Sequence, residues 1–344
     1  MRKLPTGSVV IGNLPKGCEL CQRGLKTVIF VTGLCFSRCF YCPLSRERRR
    51  DVFLINEVKL SYKENDFTSK LIAEIYRSAS LGASLTGGDP LVRPERTLKV
   101  IKILKEFFGE KFHIHMYTTG KSLNSDIVNK LEKAGLDELR IHPVARELVE
   151  IASVLKGSSL NYGLEIPSLP GKERDMLDLI RKAEKLGFMF VNINELEFSE
   201  ENSIALLQRG YVMSQDYISA VGSKETAIRV MEELKKEGTS MDIHFCPVII
   251  KDKYQTGLRH FRRGQIVAKP YEKVTDSGTL ISLEVETDFP LKDIPRVLYE
   301  KRGKVLVTST HLIPLLKDKT VSLKIVERQS SAEGLITYVE PIYP

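Results

Sequence analysis

The chain predicts an α/β fold with parallel strands, either a complete or partial β/α barrel or an open doubly wound sheet, followed by a small α+β domain. Two observations carry this. Short β-branched runs alternate with longer amphipathic runs five or more times between residues 26 and 250, and such alternation implies parallel strands joined by right-handed crossovers. The residues with chemical character also fall directly after the strands, the end at which parallel α/β folds keep their chemistry.

Taken in order, "KTVIFVTG" (26–33) is a strand that ends in glycine. Residues 66–82 have helical period and stop at Gly82. "ASLTGG" (83–88) is a second strand, and 94–109 a helix opened by Pro94, a residue favoured in the first turn. "FHIHMYTTG" (112–120) and 125–135 form the next strand and helix. "LDELRIHP", a helix near 144–155 and "NYGLEIPSLPG" follow. Then come a helix at 172–187, a strand at 188–199, a helix at 223–238 and a strand at 240–250. After a basic stretch the pattern changes to short strand-like runs such as "GTLISLEVET", "KVLVTST", "HLIPLLKD" and "TVSLKIVER". Four regions result: a C-x2-C segment at 1–25, a core at 26–250, a basic connecting segment at 251–270, and a C-terminal α+β domain at 271–344.

With 344 residues, 42% of them hydrophobic, the chain can bury a sizeable core. No run approaches the ~18 apolar residues of a membrane span, and "SVVIG" is too short for the apolar region of a signal peptide. A cytoplasmic protein with no membrane partner is expected. Six cysteines are too sparse for a disulfide scaffold, and clustered cysteines in such a chain point to metal or catalysis. Residues 266–344 hold 11 basic and 11 acidic side chains, so the whole excess of +8 falls on the first 265.

"TGLCFSRCFYCPLS" (32–45) places Cys35, Cys39 and Cys42 in C-x3-C-x2-C spacing just after the first long strand, with Tyr41 before the last cysteine. Zinc and iron–sulfur sites usually take four protein ligands. Three thiolates on a tight loop would hold three irons of a [4Fe–4S] cube and leave the fourth open, as catalytic metals keep one position free. A zinc site would need a fourth ligand. This pattern resembles the radical S-adenosylmethionine (radical SAM) superfamily, and within it the archaeal-type proteins grouped with pyruvate formate-lyase activating enzymes. "LTGGDP" (85–90) is similar to that family's Gly-Gly-Glu-Pro stretch, with Asp89 one methylene shorter.

The resemblance implies a partial (β/α)6 TIM-like barrel over roughly 26–250 and a [4Fe–4S] cluster on Cys35, Cys39 and Cys42. It also implies S-adenosylmethionine held with the help of Tyr41, Gly87, Gly88, Asp89 and Thr118, and an electron donor such as ferredoxin or flavodoxin. One electron would cleave the sulfonium to methionine and a 5′-deoxyadenosyl radical that takes a hydrogen atom from a substrate. "YTTG" (117–120) and "IPSLPG" (166–171) stand where the family has further strand ends around the cofactor.

"GCELCQRG" adds Cys18 and Cys21, and "DIHFCP" adds His244 and Cys246. These four are ligands of zinc or cluster type, and the expectation is a second site, a zinc ion or an auxiliary iron–sulfur cluster; the alternative is that they bind nothing. Arg46, Arg48, Arg49 and Arg50 follow the cysteine loop, and Lys251, Lys253, Arg259, Arg262 and Arg263 form a second basic group. Arginine suits bidentate phosphate contact, so RNA is one candidate partner and Arg46 and Arg259 are candidate contacts. Asn192, Asn194 and Glu195 lie at a strand end, with alternation aiming both asparagines to one side, and are candidate substrate or cofactor contacts. The basic face tilts the reading to modification of RNA; the alternatives are modification or activation of a protein partner, and a non-catalytic zinc-stabilised RNA-binding protein.

Overall fold

The structure, a computed structural model, describes residues 1–144, 146–286, 294–316 and 322–343. The chain divides into two compact units, residues 1–73 with 80–255, and residues 74–79 with 256–344.

The first unit opens with β1 (Arg2–Lys3), β2 (Val9–Ile11) and helix α1 (Lys16–Gln22). Strand β3 (Lys26–Thr32) is followed by a hairpin of β4 (Phe53–Ile55) and β5 (Val58–Leu60), then α2 (Phe67–Ser78). Strand–helix pairs continue as β6 (Gly82–Gly87) and α3 (Pro94–Phe108), β7 (His113–Thr118) and α4 (Ser125–Ala134), and β8 (Glu138–Ile141) and α5 (Leu148–Leu155). They end with β9 (Asn161–Ser168) and α6 (Glu173–Lys185), β10 (Phe190–Glu195) with α7 (Ser203–Leu207) and α8 (Ser223–Lys236), and β11 (Asp242–Cys246). The sheet order is β1-β2-β11-β10-β9-β8-β7-β6-β3-β4-β5. Strand β3 and the strands from β6 to β11 are all mutually parallel, while β2 and β4 join antiparallel at the two sides. One crossover helix lies between each successive parallel pair, except that α7 and α8 both lie between β10 and β11, which gives the partial (β/α)6 barrel.

The strands explain why this sheet curls around a polar interior. Ile29, Leu85, Ile114, Leu139, Leu164, Val191 and Ile243 are fully buried toward the helices. The alternate positions carry His115, Tyr117, Arg140, Glu165, Asn192 and His244 toward the lumen. Helix α1 packs on that lumen side. A Cβ on Gly17 would stand 2.4 Å from His115 Nδ1 and 2.7 Å from Arg140 Nη2, so only glycine admits the helix there. Residues 1–25 are therefore an integral part of the core rather than an appended segment, with β2 paired to β11.

One expectation changes. Gly82 does not end a helix: α2 stops at Ser78, and Gly82 opens β6, where a side chain would meet His113 O at 2.5 Å. The basic segment expected at 251–270 is mostly helical, since Ile250–Gly257 is π-helical and continues into α9 (Leu258–Val267). In the second unit, β12 (Lys273–Val274), β13 (Leu280–Glu286), β14 (Tyr299–Arg302), β15 (Val305–Thr308), β16 (Ser322–Arg328) and β17 (Ile336–Pro341) form one antiparallel sheet, with α10 (Ile313–Leu316) the short helix. Residues 145, 287, 317–318, 320–321 and 344 of the expected elements lie outside the described residues. Among the described residues no helix is long and apolar enough to cross a membrane.

Glu138 fixes the lower lumen. It is fully buried, accepts from Arg140 Nε at 2.6 Å and from the Gly17 N–H at 3.3 Å, and lies 3.5 Å from His113. Burial works to raise its pKa, but the Arg140 guanidinium and His113 override it and hold the carboxyl at about 2. The unfolded chain then binds a proton that the folded chain refuses, so this contribution to stability is complete above the ordinary glutamate value. It is lost as pH falls through the folded one. Stability measured by denaturant titration should fall between about pH 4.5 and about pH 2. Glu138→Gln should flatten that limb and cost about 3–5 kcal/mol at neutral pH, because it leaves Arg140 with a broken buried pair. An unchanged acid limb would contradict the assignment.

Candidate active site

The cysteine loop leaves β3 and returns to it at residue 52. Its base is closed by the Gly33 N–H donating to Arg50 O at 2.8 Å, and a Cβ on Gly33 would overlap Arg48 O, so this crossing needs glycine. Asp51 anchors the return. It accepts from Thr32 Oγ1 at 2.9 Å and pairs with Arg93 and Arg96 at 2.9 and 2.8 Å. Desolvation opposes its ionisation, yet hydrogen bonds from Arg96 and Arg93 bring its pKa down to about 2.

The other wall is the segment between β10 and α8. Asn202, buried, donates to Tyr41 O at 3.0 Å and to Glu197 O at 2.9 Å. Phe40 and Tyr41 pack against Leu196, Phe198, Leu206 and Ala220. Arg46, 88% exposed, reaches Glu201 of the same segment. Sequence reasoning missed Asn202 because its partners are backbone carbonyls brought in by folding.

Cys35, Cys39 and Cys42 share a cavity of about 560 Å³ with Gly87, Gly88, Thr118, Tyr41 and His142, within the roughly 300–1,000 Å³ range of small-molecule sites. Burial raises the thiol pKa of Cys35 and of Cys39. Among the described residues no group of three or more His, Cys, Asp or Glu side chains stands ready-made as a metal cage. The donor set still fits an iron–sulfur cluster with one iron open: three thiols on one tight loop, facing a ledge without side chains.

The Gly87–Gly88 ledge is pressed onto that loop. The Gly88 N–H donates to Thr32 O and the Asp89 N–H to Leu34 O, both at 2.8 Å. Gly87 has φ +136°, and a Cβ there would stand 2.1 Å from Thr32 O. Asp89 is held by the protein itself. It is fully buried and accepts from Leu91 N–H at 3.0 Å, Thr119 N–H at 3.0 Å, Thr119 Oγ1 at 2.7 Å and Thr118 Oγ1 at 3.1 Å. Four donors occupy the carboxylate's acceptor capacity. Asp89 ties the end of β6 to the end of β7 through Thr118 and Thr119. Thr118, 3% exposed, also lines the cavity.

His142, at the end of β8, is a further site residue that the sequence reading did not single out. Its Nδ1 lies 2.8 Å from Glu165 O, which can only accept, so Nδ1 carries the proton and Nε2 accepts from Tyr41 Oη at 2.8 Å. Burial lowers the His142 pKa and raises that of Tyr41, so both stay neutral. Beside them lies an apolar recess of about 210 Å³ lined by Ile166, Pro167, Leu169 and Met176. The signal available was the alternation of Glu138, Arg140 and His142 along one strand.

Below Tyr117 the lumen holds a second cavity, of about 60 Å³. Asn192 and Asn194 do face one side, as alternation required, and donate to Glu165 at 2.8 Å each. Glu195 faces elsewhere and accepts from Val248 N–H at 3.0 Å. Desolvation raises its pKa. Arg259 is 2% exposed in the second unit, beside His260, and is not a surface contact.

A family model for the Radical SAM superfamily matches residues 29–145. A protein of Methanocaldococcus jannaschii named "Putative glycyl-radical enzyme activating enzyme" is 34% identical over 348 residues, covering 96% of this chain and 90% of that protein. The chain belongs to the radical SAM superfamily. Similar solved structures include Streptococcus suis SuiB bound to precursor peptide SuiA, with 10% identity, TM-score 0.46, and 73% of this chain and 53% of that chain covered. Another is the radical S-adenosylmethionine methyltransferase TsrM from Kitasatospora setae with cobalamin and [4Fe-4S] cluster bound, with 11% identity, TM-score 0.39, and 58% and 42% covered. The chain spans about half the length of these two. As a radical SAM enzyme it uses a [4Fe–4S] cluster and S-adenosylmethionine, and the reading as a non-catalytic zinc-stabilised RNA-binding protein falls.

The radical SAM enzyme should feel Asp89 before any cofactor arrives. Asp89→Asn keeps the shape and loses charge-assisted bonds that contribute about 1.5–3 kcal/mol each. The melting temperature of the apoprotein should therefore drop by several degrees. An unchanged apoprotein with weakened S-adenosylmethionine binding would return Asp89 to the role of a cofactor contact.

Proposed function

We propose that this radical SAM enzyme takes a hydrogen atom from a polypeptide partner that seats on the segment between β10 and α8. When bound, the cluster supplies one electron, received from a ferredoxin- or flavodoxin-type donor, that splits S-adenosylmethionine into methionine and a 5′-deoxyadenosyl radical. Cys35, Cys39 and Cys42 hold the cluster. The Gly87–Gly88 backbone faces the methionine end of the cofactor. Tyr41, His142 and the recess formed by Ile166, Pro167 and Leu169 suit a flat purine, which such apolar walls and a neutral donor–acceptor pair would orient.

The observation that carries the polypeptide reading is the rim of that segment. Ile204, Leu207, Val212, Tyr217 and Val221 are all more than half exposed, and Tyr217 is 80% exposed. Residues 199–221 hold three acidic side chains and one basic. Contiguous exposed apolar surface marks protein-contact sites, and an acidic balance disfavours phosphates. Three of the basic groups expected to bind RNA are engaged elsewhere: Lys251 pairs with Glu197 at 2.8 Å, Arg263 with the buried Glu74 at 2.8 Å, and Arg49 donates to Leu44 O at 2.9 Å. The name of the Methanocaldococcus jannaschii relative, an enzyme that activates another enzyme, agrees with a protein partner.

Deuterium separates the partner classes. Reduced enzyme and unlabelled S-adenosylmethionine would be incubated with protein or RNA fractions from source cells grown in deuterated medium. Deuterium should enter 5′-deoxyadenosine from the protein fraction, survive nuclease and vanish with protease, and Cys35→Ala should abolish all product. Label acquired from the RNA fraction alone would replace the polypeptide reading with RNA.

A further inference from the structure

Three thiols from two distant parts of the chain line one lumen cavity, away from the cysteine loop. Cys18 and Cys21 stand three apart on α1, on one face of the helix, and Cys246 ends β11. All three line the cavity together with Arg140, Glu165 and Gln255. An inert buried cysteine normally sits among apolar groups. Here Cys18 Sγ is 3.4 Å from Asn192 Oδ1 and 3.3 Å from Arg140 Nη2, and Cys21 Sγ is 3.0 Å from Gln255 Oε1.

The fourth expected ligand, His244, lines the same cavity and is hydrogen-bonded through both ring nitrogens. Asn192 Nδ2 donates to Glu165, so Asn192 Oδ1 is an acceptor and His244 Nδ1, 3.0 Å away, carries the proton. His244 Nε2 is then the acceptor for Ser8 Oγ at 3.0 Å. Glu165 and Gln255 are nearby oxygen donors to the thiols.

Charge points the same way. Lys26 is 2% exposed and lines this cavity, with His115 Nε2 at 3.2 Å. Among the described residues no ion pair gives it a carboxylate. A thiolate in the cavity would supply Lys26 with its counter-charge, and a metal ion is what makes a buried thiolate affordable in free energy, because binding releases the proton.

We propose that Cys18, Cys21 and Cys246 bind one soft divalent transition-metal ion in the lumen, a second centre that ties α1 to β11. Thiolate donors select such an ion over magnesium or calcium. The ion draws Cys18 off Asn192 and Cys21 off Gln255, since the thiols now point at those amides. Its structural effect is to hold the N-terminal helix inside a barrel whose sheet is open.

The test removes the loop cysteines first, with Cys35→Ala, Cys39→Ala and Cys42→Ala together, so that its failure leaves the radical SAM reading untouched. Anaerobic titration of this full-length variant with cobalt(II) should give thiolate-to-cobalt charge-transfer absorption that saturates near one equivalent and a melting temperature that rises by several degrees. Adding Cys18→Ser, Cys21→Ser or Cys246→Ser should remove most of the absorption and the thermal shift. If Cys18→Ser does not fold, Cys246→Ser, at a partly exposed strand end, decides. A folded loop-less protein with no such absorption, or absorption that survives both Cys21→Ser and Cys246→Ser, overturns the proposal.

Discussion

The site depends on one buried carboxylate. Asp89 gathers four donors from two chain segments and fixes the ends of β6 and β7 side by side. A carboxylate without solvent costs several kcal/mol unless its acceptor sites are filled, and here they are filled by groups that define the cavity wall. Its own N–H and that of Gly88 then hold the first turn of the cysteine loop. The spacing of thiols to glycine ledge is set by protein–protein hydrogen bonds, so the pocket is organised before a cofactor enters. Such organisation lowers the cost of binding.

The second constraint is the polar lumen. Glu138, Arg140 and Glu165 form a chain of ion pairs and hydrogen bonds through the barrel, ending at Asn192 and Asn194. A lumen packed with leucine and isoleucine would be more stable on general grounds. The polar filling leaves space under Tyr117, which lines both cavities and separates the cofactor side from the three thiols of the lumen. Helix α1 closes the other end, and Gly17 is the residue that lets it in.

Much of this is legible in the sequence because it rests on local pattern. Strand and helix order follows from period. The loop trio follows from spacing, because C-x3-C-x2-C after a strand admits few chemistries. What the sequence hides depends on which atoms meet after folding. Asp89 reads as a cofactor ligand from its place in "GGDP", and only the folded structure shows the bonds it also accepts from Thr118 and Thr119. His244 reads as a metal ligand from its place beside Cys246, and only the folded structure shows its bonds to Asn192 and Ser8. Arg259 reads as surface because basic runs usually are, and it is buried. Asn202 and Lys26 carry no motif at all.

The account stands on a loop that gives three thiolates and leaves one iron for S-adenosylmethionine. Electron paramagnetic resonance of the reduced, reconstituted protein tests this most directly, recorded with and without S-adenosylmethionine. The account predicts a [4Fe–4S] signal that changes shape when S-adenosylmethionine is added and disappears in Cys35→Ala, Cys39→Ala and Cys42→Ala together. A cluster signal indifferent to S-adenosylmethionine, or one that persists without those three cysteines, would contradict it.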